Sequence, residues 1–172
     1  AIYNGGNGNT SGHTRIYKYS SGSDSWSQLG SDIDGEAAGD FAGSAVSLSE
    51  DGTMVAIGAI YNDGNNGVDS GHVRIYKNVN NIWTQVGSDI DGEDIRVLSG
   101  TSISLSSDGS VVAIGAQNND GNGNGSGHVR LYQINYGDAN FLISGSASEV
   151  GNKLSIINND NPDGSGTQIL FC

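Results

Sequence analysis

The sequence predicts an all-β protein built from three tandem repeats of four antiparallel strands each. The tripeptide Ser-Gly-His recurs three times, with its histidines at His13, His72 and His128. Short apolar runs such as MVAIGAI alternate with loops of Asn, Asp and Gly, and no segment keeps the helical period of about 3.6 residues. With 28 glycines and one proline in 172 residues, the composition favours many short strands joined by tight turns.

The repeat divides the chain into residues 1–58, 59–115 and 116–172, which we expect to form one repeat domain. The first two units are nearly identical: WSQLGSDIDGE recurs as WTQVGSDIDGE, and AVSLSEDGTMVAIGA recurs as SISLSSDGSVVAIGA. The third unit has diverged. There Phe141 replaces the tryptophan, KLSIINND replaces SISLSSDG, and TQILFC replaces SVVAIG.

Four strands are predicted in each unit, taken here from the second. GHVRIYK alternates, which places Val73 and Ile75 on one face and His72, Arg74 and Tyr76 on the other. IWTQVGS follows a short turn, and SISLSS alternates apolar residues with serines. SVVAIGA is apolar on both faces, as is typical of a strand covered on both sides. Asp-Gly at 51–52 and 108–109 predicts a hairpin between the last two strands.

The chain is strongly acidic, with 7 Lys and Arg against 19 Asp and Glu and a net charge of −12. Such a surface repels nucleic acid and anionic membranes, so we expect neither as a partner. It attracts divalent cations or basic surfaces, or it simply keeps a repeat protein soluble. No run approaches the roughly 18 apolar residues of a membrane span, and no signal peptide is visible.

The segment DFAGSAVSLSEDGTMVAIGAIYNDGNNGVDSGHVRIYK resembles the FG-GAP repeat of β-propellers such as the integrin α-chain head. Phe41-Ala42-Gly43 corresponds to the FG element. Gly58-Ala59-Ile60 and Gly115-Ala116-Gln117 correspond to the GAP element without its proline. The chain is also similar to secreted bacterial and algal proteins with tandem SGHVRIY…SDIDGE…VAIGA units. The resemblance implies propeller-blade-like repeats and an extracellular or cell-surface location. It leaves adhesion, ligand binding and surface structure open as functions.

Three blades are fewer than the four to eight or so that close a propeller. Open ends would expose strand edges and an apolar face, so we expect other copies of the chain, or further blades of a longer propeller, to cover them. Head-to-tail contacts give a ring where the rotation closes and a filament where it does not. Cys172, the one cysteine, either links two chains by a disulfide or lies in a buried strand.

An acidic loop, DIDGEAAGD, is the main candidate for a cation site. It places four acids at positions 1, 3, 5 and 9, the spacing of oxygen ligands in a calcium loop, and it resembles the D-x-D-x-D-G-x-x-D loop of integrin propellers. The second copy has Val97 at the last position, so a plain acidic turn is the alternative. The candidate calcium ligands are Asp32, Asp34, Glu36 and Asp40.

Weaker cation candidates lie in the loops rich in Asn, Asp and Gly that precede each Ser-Gly-His. Because Asn and Gly tolerate the backbone of tight turns, a turn explains these loops equally well. Two of these loops also carry Asn-x-Ser/Thr sequons, at Asn9 and Asn124, which are candidate glycosylation sites. The weaker cation candidates are Asp63, Asn65 and Asp69 in the second unit and Asp120, Asn122 and Asn124 in the third.

The three histidines are a whole repeat apart, so we expect each to open a strand and hydrogen-bond the neighbouring loop rather than to cluster as metal ligands. Arginines two residues further on are expected to pair with the acidic loops; they are Arg15, Arg74 and Arg130. Aromatic residues are expected to pack between repeats, although an exposed aromatic stripe would indicate carbohydrate binding. They are Tyr17, Tyr76, Tyr132, Trp26, Trp83 and Phe141.

No catalytic motif is present: the sequence has no G-x-S-x-G, H-E-x-x-H, P-loop or dinucleotide fingerprint. We therefore expect no enzymatic activity. The first hypothesis is an extracellular structural protein whose copies associate head to tail into a fibre, sheath or surface appendage. The alternative is a calcium-stabilised adhesion propeller that binds carbohydrate or protein, of which this chain is a part. Its partners would be glycans or cell-surface proteins.

Overall fold

The computed structural model describes residues 1–134 in full and, beyond them, the backbone of three short strands. The chain separates into two compact units, Ala1–Asn135 and Tyr136–Cys172. All regular structure in the described residues is β-strand, which confirms the all-β prediction. Among these residues no helix is long and apolar enough to cross a membrane.

Twelve strands lie within the first unit of the described chain. They are short because Gly, Asn and Asp interrupt the sequence every few residues. They are β1 (His13–Thr14), β2 (Tyr17–Ser20), β3 (Ser25–Gln28), β4 (Ile33–Asp34), β5 (Ala42–Leu48), β6 (Met54–Ala59), β7 (His72–Val79), β8 (Ile82–Gln85), β9 (Ile90–Asp91), β10 (Ser99–Leu105), β11 (Val111–Ala116) and β12 (His128–Gln133).

The central sheet has the antiparallel order β5-β6-β7-β8, and β9 also pairs with β7. Strand β6, MVAIGA, is buried along its whole length, as its apolar residues on both faces predict. The sheet takes β5 and β6 from the first sequence unit and β7 and β8 from the second. The boundaries of the sheet therefore differ from those of the sequence units. Each sequence unit begins near an Asn/Asp/Gly loop, whereas the sheet begins at β5, after the acidic loop.

The other sheets repeat parts of this arrangement. Strands β10, β11 and β12 match β5, β6 and β7 in order and register, since Val55 pairs with Tyr76 and Val112 with Tyr132. Before the central sheet, β1 pairs with β4 and β2 with β3. The described strands thus form separate small antiparallel sheets and no closed barrel or propeller.

In the second compact unit, β13 (Ser148–Glu149), β14 (Leu154–Ile156) and β15 (Ile169–Leu170) form one sheet. Ser155 pairs with Leu170, as Ser47 pairs with Ala56 in the central sheet. This register supports the alignment of TQILFC with SVVAIG in the sequence.

One apolar core cluster lies between the β1–β4 region and the central sheet. Ile16 and Ile33 pack there with Val55, Ile57 and Tyr76, and Leu29 and Trp83 flank them. The predicted packing of aromatic residues between repeats is confirmed for the second unit, where Trp83 Nε1 donates to the Leu29 carbonyl at 2.7 Å. In the first unit, Tyr17 and Trp26 do not pack against another repeat among the described residues.

Tyr17 and Trp26 are 48% and 68% exposed because no sheet among the described residues covers their face. Tyr132 is half-buried. Phe141, another aromatic residue of the prediction, lies outside the described residues, as does Cys172.

The predicted Asp-Gly hairpins are confirmed at both positions, between β5 and β6 and between β10 and β11. Gly109 has a φ of 72°, a left-handed conformation that glycine adopts without strain. Asp108 Oδ1 accepts hydrogen bonds from Ser106 Oγ at 2.6 Å and Ser110 N at 3.0 Å. These bonds stabilise the carboxylate and lower the pKa of Asp108 to about 2.

This turn predicts a stability difference that depends on pH. Because the pKa of Asp108 is lower in the folded chain than its usual 3.8, its stabilising effect is present above about pH 4 and is lost as the pH falls towards about 2. Asp108→Asn is expected to lower the melting temperature at pH 7, and the difference from the unchanged chain should shrink between pH 4 and pH 2. Calorimetry across this range tests it, with Asp51→Asn in the equivalent turn expected to behave alike. A difference of constant size would contradict it.

Candidate functional site

The side chains of the predicted calcium loop have different partners within the protein. Asp32 Oδ2 accepts hydrogen bonds from Arg15 Nε and Nη2 at 2.9 and 2.7 Å, and Gln28 Nε2 donates to Asp32 Oδ1. These contacts, that of Arg15 first, lower the pKa of Asp32 to about 2. Asp40 is buried, and its Oδ2 accepts from the Ala37 amide and from an asparagine side chain. Whether this loop binds calcium stays a prediction.

Two clusters of histidine and carboxylate side chains take up three of these four acids. Asp32 and Asp34 group with His13, whereas Glu36 groups with His72 and Asp89. In each cluster, one potential ligand atom per residue lies within 4.8 Å of the others. Each cluster thus mixes nitrogen and oxygen donors, unlike the all-oxygen set of the predicted calcium loop.

His72 occupies the most enclosed position of the two clusters. Its side chain is 1% exposed, and its Nδ1 lies 3.6 Å from Asp89 Oδ2 and 3.9 Å from Glu36 Oε2. Neither ring nitrogen makes a hydrogen bond. The prediction that this histidine opens a strand is confirmed, but the predicted hydrogen bond to the neighbouring loop is wrong.

The reason lies in the other contacts of the two carboxylates. Arg74 Nη1 donates to Glu36 Oε1 at 3.3 Å, and Gln85 Nε2 donates to Asp89 Oδ1 at 2.6 Å. These bonds hold the carboxylates just beyond hydrogen-bonding distance of the imidazole. Burial, and next the positive charge of Arg74, lower the pKa of His72 against the opposing effect of the carboxylates. The ring is therefore neutral at neutral pH.

The predicted pairing of the repeated arginines with acidic loops is confirmed. Arg15 pairs with Asp32 of its own unit, whereas Arg74 pairs with Glu36, which precedes it in the chain by most of a repeat. Arg130 pairs in the same way with Glu93.

The Asn/Asp/Gly loops are held by contacts within each loop and, in the second unit, by contacts with the following acidic connection. Asp63 Oδ1 accepts from the Asp69 amide at 3.0 Å, and Asn65 Nδ2 donates to Asp91 Oδ2 at 2.8 Å. In the third unit, Asp120 Oδ1 accepts from the Gly125 amide, and the Asn122 amide donates to Ser126 Oγ. The bonds within each loop are those expected of tight turns. The bond of Asn65 instead joins its loop to the acidic connection that follows β8. Cation binding by these loops stays a prediction, as does glycosylation of the exposed Asn9 and Asn124.

An open pocket of about 620 Å³ lies beside the His72 cluster. No lysine or arginine lines it, so its field attracts cations. Prediction from sequence missed this pocket because it joins acidic residues from two successive copies of the SDIDGE motif. The acids that line it are Glu36, Asp40, Asp63, Asp69, Asp89 and Asp91.

Compared with known proteins, the chain matches no family model and no curated protein sequence. The resemblance to FG-GAP repeats therefore stays a prediction.

Proposed function

We propose that this chain is a non-enzymatic structural subunit whose copies associate head to tail into an extracellular fibre, sheath or surface appendage. One observation carries the proposal: a strand edge and an aromatic face that are covered in the central sheet are uncovered in the first unit. The extracellular location draws on the exposed sequons and on the FG-GAP resemblance.

The strand edge belongs to the stretch that contains β1 and β2. In the central sheet, β7 has β6 on one side and β8 and β9 on the other. In the first unit Ala1 stands in the position of Ala59 of β6, and its nitrogen donates to the His13 carbonyl at 2.8 Å. On this side of residues 14–19, no other described strand lies alongside. Such an edge is a template for another strand.

The uncovered face carries three aromatic side chains: Tyr17, Tyr19 and Trp26. They are 48%, 45% and 68% exposed, and the rings of Tyr19 and Trp26 lie 5.3 Å apart. The residues equivalent to Tyr17 and Trp26 in the central sheet are Tyr76, which is 9% exposed, and Trp83, which is partly buried. Exposed aromatic groups of this kind are typical of protein interfaces.

A second copy offers a segment that suits the open edge. Residues 167–172, TQILFC, align with residues 53–58, TMVAIG, which make up most of β6, the strand that pairs with β7. Because Val55 pairs with Tyr76, the repeat places Ile169 of one copy opposite Tyr17 of the next. Cys172 aligns with Gly58, where a Cβ atom would lie 2.6 Å from the Gly100 carbonyl oxygen. The contact between copies must therefore be wider at Cys172 than the contact between repeats is at Gly58. This contact is heterologous and therefore forms a ring or a filament.

The acidic pocket favours a second candidate function, that of a calcium-stabilised adhesion propeller. The carboxylates that line the pocket are suited to binding a cation or a basic group of a cell-surface partner. This function requires binding of a ligand but does not require copies to associate.

Negative-stain electron microscopy and sedimentation velocity of the purified chain at neutral pH distinguish the two functions. Self-association predicts uniform filaments or rings that sediment far above 17.7 kDa without added ligand. The same result with Cys172→Gly would show that association does not require a disulfide. A single 17.7 kDa species at all concentrations would contradict the proposal. If chelation also lowered its melting temperature and calcium restored it, the adhesion function would be favoured.

A further inference from the structure

We propose that Glu36, His72 and Asp89 form a binding site for a divalent transition-metal cation, for which zinc is the best suited. The site would join two successive acidic connections of the fold, residues 31–40 and residues 88–97. It requires one folded chain and does not depend on whether copies associate.

The geometry of the three side chains is close to that of a zinc site. Ligand atoms about 2.1 Å from a tetrahedral zinc ion lie about 3.4 Å from one another. The Nδ1 atom of His72 is 3.6 Å from Asp89 Oδ2 and 3.9 Å from Glu36 Oε2. The two distances from His72 need to shorten by only a few tenths of an ångström, and the ligand atoms of the two carboxylates lie within 4.8 Å of each other. Three ligands would leave a fourth position for water.

The buried imidazole is the observation that distinguishes this cluster from an ordinary group of surface acids. A polar side chain that is 1% exposed normally has a hydrogen-bond partner, because an unsatisfied buried group costs about 1–3 kcal/mol. Neither ring nitrogen of His72 has one. A cation bound at Nδ1 would satisfy that nitrogen.

Neighbouring residues already orient both carboxylates. Glu36 Oε1 accepts a hydrogen bond from Arg74, and Asp89 Oδ1 accepts one from Gln85. The second oxygen of each carboxylate is the one nearer His72. Asn62 Nδ2 also contacts Glu36 Oε2, at 3.4 Å. Such outer contacts are typical of metal sites, where they fix the direction of the ligands.

The local charge also suits a divalent cation. The charged groups that act on His72 are three acids, Glu36, Asp40 and Asp89, and one base, Arg74. Together with the other carboxylates that line the pocket, they make the local charge strongly negative, which favours a divalent cation.

The chemistry of the donor atoms favours zinc over calcium. Calcium takes six to eight or so oxygen ligands, whereas zinc readily combines imidazole with carboxylate. This site therefore differs in its ion from the calcium loop predicted from sequence, and it shares only Glu36 with that loop.

The other two histidines show what completes the site. His13 groups with Asp32 and Asp34 of its own unit and, among the described residues, with no glutamate, and Asp32 is already held by Arg15. His128 has the preceding Glu93, with Nδ1 3.7 Å from Oε2, but the third unit has lost the aspartates of SDIDGE. His72 alone among the three has both a preceding glutamate and a following aspartate in the described residues.

The test is titration of the full-length, metal-free chain with Zn²⁺ by calorimetry and with Co²⁺ by visible absorption. We expect one ion per chain, a visible Co²⁺ band that Zn²⁺ removes, and no displacement of Zn²⁺ by an equal concentration of Ca²⁺. Glu36→Gln and Asp89→Asn should each weaken Zn²⁺ binding at least tenfold. Both side chains are partly exposed, so these variants are expected to fold. His72→Gln should do the same, with circular dichroism to confirm that it is folded.

Matched controls are Glu93→Gln and Asp32→Asn, which change the equivalent residues of the incomplete clusters and should leave Zn²⁺ affinity unchanged. The proposal is overturned if the unchanged chain binds no Zn²⁺ at one site. It is also overturned if Glu36→Gln and Asp89→Asn bind Zn²⁺ as tightly as the unchanged chain, or if the control variants lose as much affinity.

Discussion

Gly92→Ala is expected to lower the free energy of unfolding by about 3 kcal/mol. A Cβ atom at Gly92 would lie 2.0 Å from the Ser70 carbonyl oxygen and 2.8 Å from Val97 Cγ2. The backbone at this point cannot move freely, because the Gly92 amide donates to the Gly71 carbonyl at 2.8 Å. The substitution must therefore displace either the acidic connection or the loop before β7. Gly35 has the same contact, with Ser11, in the preceding repeat.

Urea unfolding of Gly92→Ala against Gly22→Ala measures this effect. Gly22 lies between β2 and β3 with nothing within 4 Å of a Cβ atom, so its substitution should change stability by no more than about 0.5 kcal/mol. If Gly92→Ala lowered the free energy of unfolding by as little as this, the acidic connection and the loop before β7 could move apart without cost. Their close approach would then not stabilise the fold.

Most of the strands could be predicted from sequence because their signal is local. MVAIGA and VVAIGA are apolar throughout, and the Asp-Gly turns mark the hairpins before them. Strands β4 and β9 were missed, since two residues cannot show an alternating pattern and each forms by pairing with the start of a histidine strand. The phase of the central sheet was also missed, because a repeated sequence has no intrinsic starting point.

The candidate metal site shows the limit of reading one loop at a time. The arginine pairs could be predicted from side chains on one strand face and nearby acids. The approach of Glu36 and Asp89 to His72 could not, because the two acids belong to different copies of one motif. One signal was available: wherever a Ser-Gly-His follows one SDIDGE and precedes another, its histidine is a candidate to contact both.

Trp26→Lys is expected to disperse the associated protein without unfolding the subunit. Trp26 is 68% exposed and contacts Tyr19, also exposed, so the single chain loses little by its replacement. In the proposed junction this side chain would take the place that Trp83 has between the first unit and the central sheet. A buried tryptophan at an interface typically contributes about 2 kcal/mol or more, and a lysine there must also be desolvated. The dissociation constant between copies should therefore rise roughly thirtyfold or more.

Sedimentation velocity over a dilution series compares Trp26→Lys with the unchanged chain and with Ile95→Lys. Ile95 is 56% exposed but lies in an acidic connection outside the aromatic face, so its substitution adds the same charge and should leave association intact. The two variants must have the same melting temperature as the unchanged chain. A difference in association then reflects the contact between copies and not the stability of the subunit. Filaments or rings of Trp26→Lys that dissociate at the same concentration as the unchanged protein would place the contact between copies on a different surface. Head-to-tail pairing through the first unit would then be wrong even if the protein assembles.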